Sequence, residues 1–99
     1  MPSLEDIKQT IIQCKPRLQE RYQVTQLGLF GSYVRGEQTE ASDLDVLVEF
    51  APEARFGLLK FCELENDLSE ILGLKVDLVM KTGLKPRIGE RILQEVIYL

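Results

Sequence analysis

An apolar run that breaks at Gly31-Ser32, and a second apolar run that opens with Asp43-Leu44-Asp45, constrain this chain more than any other feature. Val24–Phe30 reads as a strand stopped by Gly31. Asp43–Phe50 reads as a second strand, largely apolar after Asp45. A strand apolar on both faces belongs at the centre of a sheet covered on both sides. Ser32–Arg35 is then a short helical turn, and Glu37–Ser42 the polar loop that leads back into the sheet. Ten residues separate Ser32 from Asp43.

The remaining elements follow from hydrophobic spacing and its punctuation. Ser3 with Asp6 resembles a capping box, and Leu4, Ile7, Ile11 and Cys14 follow at helical spacing. Pro16 is expected to kink or interrupt that helix, with a further turn through Arg17–Arg21. Phe56–Leu72 is the longest predicted helix, with Leu58, Phe61, Cys62, Leu64, Leu68, Ile71 and Leu72 as a broad apolar face and Gly73 just past its end. Leu74–Met80 reads as a third strand broken by Gly83. Pro86 suits a first helical turn, and Ile88, Ile92, Leu93 and Val96 support a last helix. The order is α-β-α-β-α-β-α, an α/β chain in the broad sense, and its 99 residues make one domain.

Two carboxylates set two residues apart on a strand share one face, with Cα atoms about 6.6 Å apart. Asp43 and Asp45 can therefore each reach a bound Mg²⁺, or bridge two ions. Asp77, the acidic residue of the otherwise apolar third strand, can join them from a neighbouring strand. Three clustered carboxylates repel unless a cation lies among them, which is a reason to expect metal. Gly31 lets the backbone approach a phosphate, Ser32 supplies a hydroxyl, and Arg35 can clamp a phosphate oxygen or pair with Glu37 or Glu40. Together these are the parts needed for nucleotidyl transfer. The chain has no histidine, which removes imidazole bases and the usual mixed zinc sites and leaves Mg²⁺ or Mn²⁺ chemistry on carboxylates. Gly31 and Gly36 have P-loop spacing, but Glu37-Gln38 stands where that motif requires Lys-Ser/Thr.

Composition excludes several classes. A net charge of −4 argues against binding along a nucleic-acid backbone. No apolar stretch approaches the length of a membrane span, and the N-terminus has no signal-peptide pattern, so a cytoplasmic location is expected. Cys14 and Cys62, far apart in apolar segments, are expected to be buried free thiols.

The run Leu29-Phe30-Gly31-Ser32-Tyr33-Val34-Arg35-Gly36-Glu37, with Ser42-Asp43-Leu44-Asp45-Val46-Leu47-Val48 and the tail Gly73-Leu74-Lys75-Val76-Asp77-Leu78-Val79, strongly resembles the minimal nucleotidyltransferases of the DNA polymerase β-like superfamily. Lys85-Pro86-Arg87-Ile88 fits as well, so the resemblance covers nearly the whole chain and is nearest to the short antitoxin-type members. It implies a small mixed sheet flanked by helices, the nucleotidyltransferase fold. It implies that the Gly31-Ser32 turn holds the β and γ phosphates of ATP, that Asp43 and Asp45 bind Mg²⁺, and that Asp77 assists the metal or deprotonates the acceptor. It also implies a partner, a HEPN-family toxin, onto whose tyrosine some members transfer AMP.

A chain this short devotes its residues to the catalytic core, and an acceptor hydroxyl needs a positioning surface that a second protein can supply. The acidic face Glu63, Glu65, Asp67 and Glu70 suits a basic partner or is simply solvated, and Lys81, Lys85, Arg87 and Arg91 form a basic segment that can face ATP or the partner. Two other readings compete. One is a non-catalytic antitoxin that blocks its toxin by binding, which has no need of three clustered carboxylates. The other is an adenylyltransferase for a small molecule such as an aminoglycoside, against which the missing second domain counts.

Overall fold

The computed structural model describes residues 2–55 and 57–99. Helix α1 (Leu4–Tyr22) leads into strand β1 (Val24–Phe30), the short helix α2 (Ser32–Arg35) and strand β2 (Leu44–Phe50). Helix α3 (Leu58–Leu72), strand β3 (Val76–Met80), a 3₁₀ turn (Lys81–Gly83), helix α4 (Pro86–Glu95) and a two-residue strand β4 (Ile97–Tyr98) follow. The sheet order is β3-β2-β1-β4. β1 is antiparallel to β2 and β4, and β2 is parallel to β3, so the sheet is mixed and β2 is interior as expected. The expected element order holds, with β4 added at the end. Among the described residues no helix is long and apolar enough to cross a membrane.

Strand alternation divides the two faces of the sheet. Leu44, Val46 and Val48 pack with Ile7, Ile11, Leu64 and Leu68 into a core shared with α1 and α3. Asp45, Leu47 and Glu49 therefore point to the opposite face. On β3 the buried residues are Val76 and Leu78, so Asp77 lies on the Asp45 side. Asp43 precedes the first residue of β2 rather than lying within it, because the β2–β3 ladder begins with the Leu44 N–H donating to the Lys75 carbonyl.

Helix α1 corrects the expectation at Pro16. The helix runs unbroken through that residue, from its Ser3 cap, whose Oγ accepts from the Asp6 N–H at 3.1 Å, to Gln23. Ile7, Ile11, Leu18 and Tyr22 form one buried stripe on both sides of the proline, and their packing outweighs the local break. Pro16 itself is exposed, as is Ile12, whose carbonyl the ring deprives of a donor and which solvent can hydrate.

Helix α3 also buries less than its periodicity suggests. Leu64 and Leu68 are buried, but Leu58 is 75% exposed and Cys62 is exposed. The cysteines are free but neither is buried, Cys14 being half-buried. The start of this helix at Phe56 lies outside the described residues. Gly73 caps its C-terminus at φ 68°, and Pro86 opens α4.

Pro16→Ala should restore the missing hydrogen bond and relieve the ring's clash. Set against the unfolded-state stiffness that proline provides, the expected gain is about 1–2 kcal/mol. A rise in the urea midpoint with unchanged slope checks it. An unchanged or lower midpoint would mean that the proline sits without strain.

Candidate active site

The β1–α2 turn is built around a glycine at which any side chain would be strained. Gly31 has φ 83° and ψ −156°, a conformation essentially confined to glycine. A Cβ at this position would run into the Asp45 carboxylate. The turn thus lets the start of α2 lie directly against the β2 carboxylate. Ser32 is half-buried at the first position of α2, and Tyr33 is buried behind it. In the loop before β2, Ser42 Oγ accepts from the Thr39 N–H at 2.9 Å, which orders the approach to Asp43.

Asp45 and Asp77 are direct partners in the parallel β2–β3 register. Burial, and then the neighbouring Asp77 and Asp43 carboxylates, push the Asp45 carboxyl up to about 6, with Arg35 opposing part of the rise. Asp43 stands at the mouth of the strand, 3.9 Å from Lys75 Nζ, in a depression it shares with Tyr33 and Ser42. Asp45 instead lines a cleft of about 470 Å³ with Gly31, Arg35, Ile88, Arg91 and Glu95. The three acidic residues therefore share one region and one field, but no three His, Cys, Asp or Glu side chains among the described residues close on a single point.

An all-carboxylate donor set with a mutually repelling pair suits a hard divalent cation such as Mg²⁺, which binds through one or two carboxylates plus substrate phosphates. The residues fit the metal in that manner rather than as a complete protein cage.

Arg35 is held on two sides. Its Nε donates to Glu37 at 2.6 Å, the pairing expected from sequence, and its Nη1 donates to Glu95 at 2.9 Å. Glu40 does not take part in either contact. Glu95 also accepts from the Gly31 N–H at 2.6 Å. Burial works against the Glu95 charge, but the Gly31 N–H and the Arg35 guanidinium outweigh it and hold its carboxyl below the usual range. Sequence reasoning did not single out Glu95, since no short-range pattern links it to a turn 64 residues earlier.

Other expected surfaces are used internally. Glu63 pairs with Arg21 at 2.6 Å, Asp67 accepts from the Tyr22 hydroxyl, and Glu65 Oε2 accepts from the Leu78 N–H at 2.9 Å. Of the four acidic residues of α3, only Glu70 lacks such a contact among the described residues. In the basic segment, Lys81 pairs with Glu49 at 3.6 Å and Arg91 lines the Asp45 cleft. A larger groove of about 540 Å³ lies at the far end of β2, between Phe50, Leu58 and Met80. Its lining is apolar apart from Glu49 and Thr82, so the smaller cleft is the candidate site.

The raised Asp45 carboxyl makes the metal-free protein pH-sensitive. Its folded value of about 6 lies above the ordinary 3.8, so the folded state holds this proton more tightly. That contribution is fully present below the unfolded value and is lost as pH rises through about 6. Asp45→Asn should therefore stabilise the metal-free protein near neutral pH, by about 1 kcal/mol after solvent screening of a half-exposed carboxylate. Urea unfolding in EDTA across the acidic range should show the gain vanish toward about pH 4. A gain that is the same at every pH would remove the electrostatic explanation.

Comparisons with known proteins bear on the family and the fold. The profile of the nucleotidyltransferase domain matches residues 11–99. A protein adenylyltransferase, MntA of Thermococcus cleftensis, is 50% identical over 99 residues, covering 100% of this chain and 98% of that protein. A solved structure assigned provisionally to the minimal nucleotidyltransferases superposes with a TM-score of 0.74 at 36% identity, covering 99% of this chain and 100% of the other. A chain from a toxin–antitoxin crystal structure with AMP-PNP superposes with a TM-score of 0.73 at 25% identity, over 92% of this chain and 70% of the other. The turn against Asp45, the Asp45–Asp77 register and a domain profile spanning all but the first turns of α1 lead to one conclusion: the chain belongs to the nucleotidyltransferase domain family.

Proposed function

We propose that this protein transfers AMP from ATP to a hydroxyl of a partner protein, a tyrosine of a HEPN-family toxin, and so acts in the cytoplasm as that toxin's antitoxin. The observation that carries the reading is Asp45, paired in register with Asp77, lying directly against Gly31 of the Gly31-Ser32 turn. The 50% identity to a protein adenylyltransferase supports a protein acceptor. The likeness to a toxin–antitoxin structure with AMP-PNP supports both ATP and the partner class.

In this reading the Ser32 hydroxyl and the Arg35 guanidinium take the β and γ phosphates. Asp43 and Asp45 hold Mg²⁺, two ions in all, with Asp77 as a further ligand or as the base. Bound Mg²⁺ would supply charge neutralisation at the phosphates. The acceptor oxygen then forms a bond to the α-phosphorus as the bond to the leaving pyrophosphate breaks. The acceptor's proton passes to a carboxylate, a role this reading gives to Asp77, which is exposed and pairs in register with Asp45.

Incubation with ATP, Mg²⁺ and the product of the neighbouring gene should add AMP mass to that product. Asp77→Asn should still bind ATP but transfer slowly. Silencing of the partner without any mass gain, equally good in Asp77→Asn, would establish a steric binder instead.

Ser32→Ala removes a hydrogen bond to a charged group and should cost about 1.5–3 kcal/mol of transition-state stabilisation, a more than tenfold loss in kcat/KM. Tyr33→Phe, at a packing position, should change kcat/KM much less. Wild-type turnover by Ser32→Ala would rule out the phosphate-turn assignment.

A further inference from the structure

Helix α4 ends directly over the phosphate turn. Glu95, its last residue, accepts from the N–H of Gly31 through Oε2. The same carboxylate receives Arg35 Nη1 on both oxygens, at 2.9 and 3.1 Å. Gly31 is buried, so its N–H needs a partner inside the protein, and Glu95 provides it from the other end of the chain. Arg35 is thereby fixed between two carboxylates from separate elements, Glu37 on Nε and Glu95 on Nη1. Its Nη2 and the Ser32 hydroxyl make no hydrogen bond among the described residues and remain open to an anion.

The placement of Glu95 is built into the sheet. Immediately after it the chain turns extended at Val96 and pairs as β4 with β1, Ile97 opposite Leu29 and Tyr98 opposite Gly28. Gly28 makes this approach possible, since a Cβ there would lie 2.6 Å from Val96 Cγ2. A missing side chain on β1 thus seats the α4–β4 junction, and the junction delivers Glu95 to the turn.

We propose that Glu95 is a positioning residue for the nucleotide: its carboxylate fixes the Arg35 guanidinium and the Gly31 N–H in the arrangement that receives the triphosphate. The proposal rests on the nucleotide reading of the cleft. A guanidinium already held in place loses less freedom when the phosphate arrives, so binding is stronger although Glu95 itself touches no phosphate.

The test measures binding of Mg²⁺ with AMP-PNP by calorimetry, together with KM and kcat for AMP transfer. Glu95→Gln keeps one acceptor for the Gly31 N–H but loses the charge that holds Arg35. It should raise Kd and KM about three- to tenfold while kcat changes less than about twofold. Glu95→Asp, which keeps the charge, should recover part of the loss. In an Arg35→Ala background Glu95→Gln should have little further effect, since it acts through Arg35. The urea midpoint of Glu95→Gln should stay near wild type, which separates positioning from unfolding.

Equal or tighter binding by Glu95→Gln would overturn the proposal, and tighter binding would identify Glu95 as a competitor for the phosphate seat. Full additivity with Arg35→Ala would also overturn it. Absence of binding by the wild type would overturn the nucleotide reading, and this inference with it.

Discussion

Asp45 and Asp77 stand opposite each other on two parallel strands, and like charges in that position repel. They stay together because the other face of the same strands is buried. Leu44, Val46, Val76 and Leu78 are all under 5% exposed, and they interlock with α1 and α3. A slip of one residue in the β2–β3 pairing would turn that apolar set outward. The core therefore fixes the register, and the register fixes the carboxylates. The rest of the site is arranged around them: a glycine where Asp45 leaves no room, and a guanidinium whose charge offsets part of the repulsion at Asp45.

Much of this arrangement was legible from local pattern. Val24–Phe30 and Ser32–Arg35 carry their own stop and start signals, and the structure reproduces both spans. The third strand is legible in kind, although it starts at Val76 rather than Leu74, and it sets Asp77 beside Asp45. The failures share a cause, which is that tertiary contact overrode or escaped the local signal. Pro16 reads as a break, yet a buried stripe on both sides of it carries the helix through. Leu58 reads as core, yet it is 75% exposed at the start of α3. The strand Ile97–Tyr98 is too short to show a period, and its existence depends on Gly28, some 70 residues earlier. Glu95 escaped for the same reason. Its partners are set by sheet pairing, not by spacing along α4.

The charge of the whole chain gives a poor account of its site. A net charge of −4 speaks against a polyanion partner spread over the surface. The cleft nevertheless concentrates Arg35 and Arg91 beside Asp45 and Glu95. A small anion that brings its own cations meets a mixed field of fixed groups there, in which position matters more than sum. The acidic residues of α3 show the reverse case, since most of their charge is spent on holding that helix to α1 and β3.

Gly31 and its neighbours differ in how they can change over evolutionary time. At Gly31 a side chain meets two obstacles at once, a backbone conformation open only to glycine and the carboxylate of Asp45. The first alone costs about 1–3 kcal/mol, and the second displaces the Asp45 carboxylate. No intermediate residue softens either penalty, so the position acts as a switch with two settings. Ser32 is half-buried and Arg35 exposed, so neither meets such a steric bar. A lineage under selection for a weaker enzyme has room to adjust Ser32 and Arg35 step by step. One that abandons catalysis and keeps only the surface can do so in a single step at Gly31.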